Sequence, residues 1–181
     1  LVNPPNLKEQ EHRMSETGLV NLCSKACREA VKKAQLSTNE VDCLIVAYDV
    51  NPILSPGLSQ LLVPKLELDP YVKHVNLQGI ASTAFIKILE LAENHLAAHP
   101  LDNVLLCTSG VSSYWFQNQV AGLTSVMEIT KANSIRNKDQ RTLELRKWVA
   151  TMQYFLFGDG AAAAVVAKEG NGLVVRKTAE A

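Results

Sequence analysis

Three short apolar runs, separated by segments with helical spacing, set the fold class of this chain. Val41–Ala47 is a continuous run rich in β-branched residues, interrupted only by Asp42. A run that short and that apolar fits a parallel strand buried on both faces. Val72–Leu77 and Val104–Cys107 supply two more strands. Leu19, Leu22, Cys23, Ala26, Cys27, Ala30, Val31 and Ala34 recur at intervals of three and four. That spacing predicts an amphipathic helix, capped by Ser15 or Thr17 and ending near Gln35. Tyr48–Gly57, with Pro52, Pro56 and Gly57, reads as a loop. A helix from Leu58 to about Leu66 follows, and Pro64 should kink or end it. Ala81–His99 predicts a long helix with Ala84, Phe85, Ile88, Leu89, Leu91, Ala92 and Leu96 on one face and Pro100 as its stop. Ala161–Ala167 and Gly172–Lys177 predict a closing hairpin through the turn Gly170-Asn171-Gly172. Helix alternating with apolar strand gives an α/β chain with a five-stranded, mixed and mostly parallel sheet, helices lying on both faces. Residues 1–14, polar with Pro4 and Pro5, form an irregular lead-in. Residues 117–150 form a polar, helical insertion.

Composition narrows the function classes. The 181 residues are enough for one domain with a sizeable core. Lys+Arg and Asp+Glu both number 18. Zero net charge argues against nucleic acid and membrane surfaces, which ask for a basic excess. No apolar run approaches the roughly 20 residues that span a bilayer, and no secretory signal pattern is visible. Cys23, Cys27, Cys43 and Cys107 lack paired zinc spacing and sit among apolar residues. They read as buried free thiols in a reducing compartment, the cytoplasm by default. No metal constellation and no Gly-rich phosphate loop is present.

Five strings, in order, carry a family resemblance. They are Ser55-Pro56-Gly57 with Gln60-Leu61-Leu62; Leu68 through Val75; Val75 through Ser82 with Leu91-Ala92-Glu93-Asn94; Val104 through Ser109; and Leu156 through Ala163. Together they resemble the N-terminal half of a thiolase-like condensing enzyme, above all a type III polyketide synthase (chalcone synthase) or ketoacyl synthase III. The resemblance covers roughly residues 15 to 177. It implies a complete fold of two duplicated halves, of which this chain is the first. It also implies dimerisation just after the nucleophile strand, and acyl and malonyl thioesters of coenzyme A, or of a carrier protein, as substrates. No resident cofactor is implied.

The resemblance also assigns positions. In such proteins a Gln-Gly-Cys turn presents the nucleophile. Here Gln78 and Gly79 are followed by Ile80, which cannot form a thioester, so no residue of this chain is assigned a catalytic role. A thiolate with lowered pKa takes the acyl group in such chemistry. His and Asn side chains then stabilise the oxyanion and enolate, and in the family both lie in the C-terminal half. Three residues are candidates for the substrate cavity. Ser82 has a hydroxyl two positions past Ile80. Phe157 is either the family's gatekeeper between coenzyme A tunnel and cavity or a core aromatic. Trp115 either narrows the cavity or packs with Tyr114. Gly158, Asp159 and Gly160 read as a structural turn, the glycines for a tight backbone and Asp159 for bonding loop amides. Cys107 reads as a small buried hydrophobe. His12, His74, His95 and His99 show no acid or cysteine at useful spacing.

Basic residues of the insertion (Lys131, Arg136, Lys138, Arg141, Arg146, Lys147) face either coenzyme A phosphates or an acyl carrier protein, or are solvated surface charge. Two functions stay open. The chain is either the acyltransferase component of a decarboxylative condensing enzyme, completed by a C-terminal half, or a structural pseudo-enzyme that dimerises with an active ketosynthase homologue. A weaker third is a module that holds coenzyme A without turnover.

Overall fold

A computed structural model of the chain describes residues 16–49, 55–111 and 127–175. The lead-in, residues 112–126 with Tyr114 and Trp115, and the end of the expected last strand lie outside these described residues. The elements are α1 (Glu16–Lys33), β1 (Cys43–Tyr48), α2 (Leu58–Leu66), β2 (Lys73–Gln78), α3 (Ala84–Ala98), β3 (Val104–Val111), α4 (Met127–Ser134), α5 (Lys138–Leu156) and β4 (Asp159–Val166). They form two compact units. One comprises the described residues through Gly110 together with those from Gly160, and the other spans Val111–Asp159.

The first unit is built on β1. Its six residues are all buried, and it pairs in parallel with β2 on one side and β3 on the other. The sheet is mixed, with four strands in the order β2-β1-β3-β4. Side chains alternate between faces. Cys43, Ile45 and Ala47 of β1 and Val104 and Leu106 of β3 meet Ala84, Ile88, Ala92 and Leu96 of α3. On the opposite face Cys107 of β3 meets Cys23 and Cys27 of α1. Helices therefore cover both faces, as the alternation of elements predicts.

Several details differ from the sequence expectation. The strand begins at Cys43 and not Val41, because Asp42 turns its carboxylate to the Asn103 amide (2.7 Å) and stays exposed. The buried stripe of α3 is narrower than the spacing predicts. Phe85 and Leu91 are 39% and 36% exposed. The helix starts at Ala84, after a 3-10 turn over Ala81–Thr83. The expected fifth strand is absent among the described residues. Residues 172–175 lie outside the sheet, with Leu173 and Val174 almost wholly exposed. A second hairpin strand forms only where it finds a face to bury, and these side chains find none. Pro64 does sit in the last turn of α2, which ends two residues later.

The second unit contains α4 and α5. Asn137 caps α5 by accepting from the amides of Asp139 and Gln140, each at 3.0 Å, the usual role of a short amide side chain at a helix start. Lys147 pairs with Glu144 one turn away.

A polar network anchors α2 to β2. Gly57 caps α2 and has no side chain to offer its amides. Asn76 of β2 does so instead: its Oδ1 accepts from the Ser59 amide (2.8 Å) and its Nδ2 donates to Ser59 Oγ (2.6 Å). Ser59 is fully buried. A Cβ on Gly57 would lie 2.6 Å from Asn76 Nδ2, so only glycine leaves room for this arrangement. Gly57→Ala should lower unfolding free energy by about 1–3 kcal/mol, the cost of stranding buried polar groups. In a chemical denaturation cycle, Gly57→Ala combined with Asn76→Ala should cost much less than the sum of the two single changes. Additive losses would mean that Asn76 is not what the methyl displaces.

Candidate functional site

Parallel pairing carries the C-terminal ends of β1 and β2 to one edge of the sheet, with Tyr48 opposite Gln78. Ligands of open α/β sheets bind outside that edge. The Gly79 amide donates to the Tyr48 carbonyl at 3.2 Å, extending the pairing by one residue. Gly79 then adopts φ +77°, a left-handed conformation that glycine takes without a Cβ clash. Ile80 is helical (φ −95°, ψ −7°). Ala81 is left-handed again, at φ +53°. Two left-handed residues around one helical residue reverse the chain and feed it into α3. Asp49, the residue after β1, accepts the Ala81 amide at 2.9 Å, and Thr83 Oγ1 donates to the Ile80 carbonyl at 3.0 Å.

The predicted residues are distributed as follows. Ile80 is half-buried and packs against the cluster formed by β1, β3 and α3. Gln78 and Ser82 are exposed at the same turn. Phe157 follows α5 in the second unit and is 52% exposed. Trp115 lies outside the described residues. Neither Gly158 nor Gly160 has a left-handed φ, and a Cβ on either would meet no atom within 4 Å. Their backbone conformation therefore does not demand glycine. Asp159 opens β4.

All four cysteines are free and buried, as their apolar surroundings predict. Burial pushes the Cys43 thiol up to about 11. Hydrogen bonds from Cys23 and Cys27, and then burial, hold Cys107 well above the ordinary thiol range. The bond to Cys107 lowers Cys23 while burial raises it. Of these the bond to Cys107 is the larger, and Cys23 lies below its ordinary value. The buried Ser109 hydroxyl lies beside Cys23 and adds a smaller downward pull on its thiol.

The histidines differ from expectation. His95 is paired with Asp102 at 2.8 Å and is mostly buried. Its ring stacks obliquely on His99 at 4.8 Å, and Lys73 reaches both Asp102 (3.9 Å) and His99 (3.4 Å). His74 Nδ1 lies 2.9 Å from Ser59 Oγ. The His95 cluster sits where β2 begins and α3 ends, at the opposite end of β2 from the Gly79 turn. No group of three ligating side chains with metal geometry exists among the described residues. Asp49 is the site residue that sequence reasoning missed. It lies in a segment read as loop, and its partner is 32 positions away.

The family model of FAE1/type III polyketide synthase-like proteins matches residues 2–127. The chain belongs to that family. The 3-ketoacyl-CoA synthase 6 of Arabidopsis thaliana is 29% identical over 102 residues, which are 55% of this chain and 20% of that protein. Germicidin synthase from Streptomyces coelicolor, a type III polyketide synthase, superposes with TM-score 0.62 at 26% identity, over 86% of this chain and 34% of its own. OleA from Xanthomonas campestris (18% identical, TM-score 0.61, 81% and 39% covered) shares the fold. So does the C-terminal type III polyketide synthase domain of Steely1 from Dictyostelium (18%, 0.62, 91% and 37%). The chain thus spans about a third of the solved relatives and a fifth of the curated one.

The thiol environment generates a direct test. Ellman's reagent at pH 8 should find no fast-reacting thiol in the folded protein and all four after denaturation. One thiol titrating within seconds in the native state would show that a cysteine is poised for chemistry.

Proposed function

We propose that this chain is a component of a type III polyketide synthase-like acyltransferase that works on acyl- and malonyl-coenzyme A thioesters by decarboxylative condensation. Within it the chain supplies the scaffold and not the nucleophile. One observation carries the reading. The strand–turn–helix that should present a thiol carries Ile80, Ala81 and Ser82, and every cysteine is buried elsewhere. In such a condensation a thiolate attacks the acyl thioester and coenzyme A leaves as the thiol. Malonyl thioester then loses carbon dioxide, and the resulting enolate attacks the enzyme-bound acyl group and frees the thiolate. The thiolate, and the donors that steady the oxyanion, come from a C-terminal half or from a homologous ketosynthase chain.

A second reading follows from the surface. Val75 on β2, with Phe85, Ile86 and Leu91 on α3, are each more than a third exposed. Exposed apolar side chains gathered on neighbouring elements suit a partner. On this reading the chain is a structural pseudo-enzyme in a homo- or heterodimer with an active homologue. Substrate contacts at Phe157, Trp115 and Ser82, and docking of an acyl carrier protein on the basic helices, belong to the same proposal. No helix among the described residues is long and apolar enough to cross a membrane. The buried free thiols fit a reducing, cytoplasmic setting.

Intact mass spectrometry of the native complex, before and after incubation with an acyl-coenzyme A, tests the proposal. The expected result is no adduct on this chain and an acyl adduct on a co-purifying homologue or C-terminal half. An adduct on this chain would overturn the scaffold reading. A monodisperse, fully folded monomer would overturn the need for a partner.

A further inference from the structure

Three of the four cysteines converge on one point of the core, and the proposed condensation uses none of them. We propose that Cys23, Cys27 and Cys107 form a peroxide-sensitive clasp between α1 and the sheet, in which oxidation closes a disulfide from Cys107 to the helix. The inference is independent of the condensing-enzyme reading, since none of its residues belongs to the β2–α3 turn.

Two periodicities bring the thiols together. Residues four apart on a helix lie on one face, so Cys23 and Cys27 of α1 point the same way. Alternation along β3 puts Val104 and Leu106 beneath α3 and Cys107 and Ser109 on the other face. There Cys107 shares hydrogen bonds with both helix thiols, and Ser109 reaches Cys23. All three cysteines are fully buried. The fourth, Cys43, lies apart from them in the cluster under α3. Thiols in contact across two elements have a covalent option that alanine or valine in the same space lacks.

The contacts also divide the roles. The bond to Cys107, with Ser109 adding to it, holds the Cys23 thiol below its ordinary value. The bonds to Cys23 and Cys27, with burial, hold Cys107 above it. Cys23 is therefore the nucleophile and Cys107 the thiol that resolves its oxidised form. The oxidant is hydrogen peroxide, small and uncharged enough to enter where Ellman's reagent does not. The Cys23 sulfur attacks one peroxide oxygen, the O–O bond breaks, and water leaves with the Cys23 proton. Cys23 is then a sulfenic acid. The Cys107 sulfur attacks it, the S–S bond forms, the S–O bond breaks, and a second water takes the hydroxyl and the Cys107 proton. Two thiols lose the two electrons that the peroxide gains. Cys27, touching Cys107, exchanges with Cys23 through its own thiolate, so the bond moves between the two helix positions.

Peptide mapping of the full chain decides the point. The protein is treated with excess hydrogen peroxide, its remaining thiols are blocked with iodoacetamide in denaturant, and it is digested without reduction. Trypsin cuts at Lys25 and Arg28, so Cys23 and Cys27 fall on different peptides. The expected result is an intact mass lower by two hydrogens and a peptide pair linking Cys107 to Cys23 or Cys27. Cys23 should be consumed at least about tenfold faster than Cys43, and dithiothreitol should restore every thiol. Oxygen added to single cysteines without a cross-link, a link to Cys43, or oxidation only after denaturation would each overturn the clasp. A bond between positions so far apart in sequence restrains the unfolded chain, so the oxidised protein should melt above the reduced one. A lower melting temperature would show that the bond does not fit the folded core. Cys107→Ala should leave Cys23 as a sulfenic acid that dimedone traps, whereas Cys27→Ala should keep the link from Cys23 to Cys107. A cross-link that survives Cys107→Ala would remove Cys107 from the assignment. Should that variant fail to fold, the map and the melting comparison of the unaltered chain still decide.

Discussion

Burial of β1 on both faces and along both edges is the constraint from which the rest follows. All six of its residues are buried, between two parallel neighbours and beneath helices on either side. Each large aliphatic side chain sealed in this way contributes about 1.5–3 kcal/mol, and among the described residues no other strand is sealed along its whole length. Because β1 is central, its two ends become the two working edges of the sheet. Its C-terminal end places Asp49 against the turn that follows β2. Its N-terminal end places Asp42 against Asn103, beside Asp102 and its partners His95 and Lys73.

The chemistry is divided between those edges. Charge pairs gather at the N-terminal edge, where they tie strand starts to the end of α3. The C-terminal edge holds the strained turn and no ion pair among the described residues. The turn at that edge carries Ile80, Ala81 and Ser82 and no cysteine. The cysteines of the chain are buried elsewhere. Cys23, Cys27 and Cys107 join α1 to the sheet, and Cys43 lies beneath α3.

Much of the fold was legible because it depends on local pattern. The apolar runs at 41–47 and 104–107 announced buried strands, and the four-residue recurrence of Ala84, Ile88, Ala92 and Leu96 announced the buried stripe of α3. Boundaries were less legible. Asp42 looked like a flaw within a strand until the Asn103 amide gave it a partner. Leu173 and Val174 looked like strand residues, but apolar character does not make a strand when no neighbouring edge accepts it. Phe85 and Leu91 shared the spacing of the core face and ended up at its exposed margin, since a helix resting on a sheet buries only a narrow stripe.

The site divides in the same way. The sequence by itself determined that Gln78-Gly79 opens a strand–turn–helix without a cysteine, that the chain resembles a condensing enzyme, and that its thiols are apolar residues. These are statements about residue identity and short-range order. Only the tertiary structure decided that Ile80 turns inward, that Ala81 is held left-handed, that Asp49 occupies its amide, and that His95 is paired with Asp102. Each of these depends on contacts between residues far apart in sequence. Their partners are chosen by sheet register and helix placement, which no local pattern encodes.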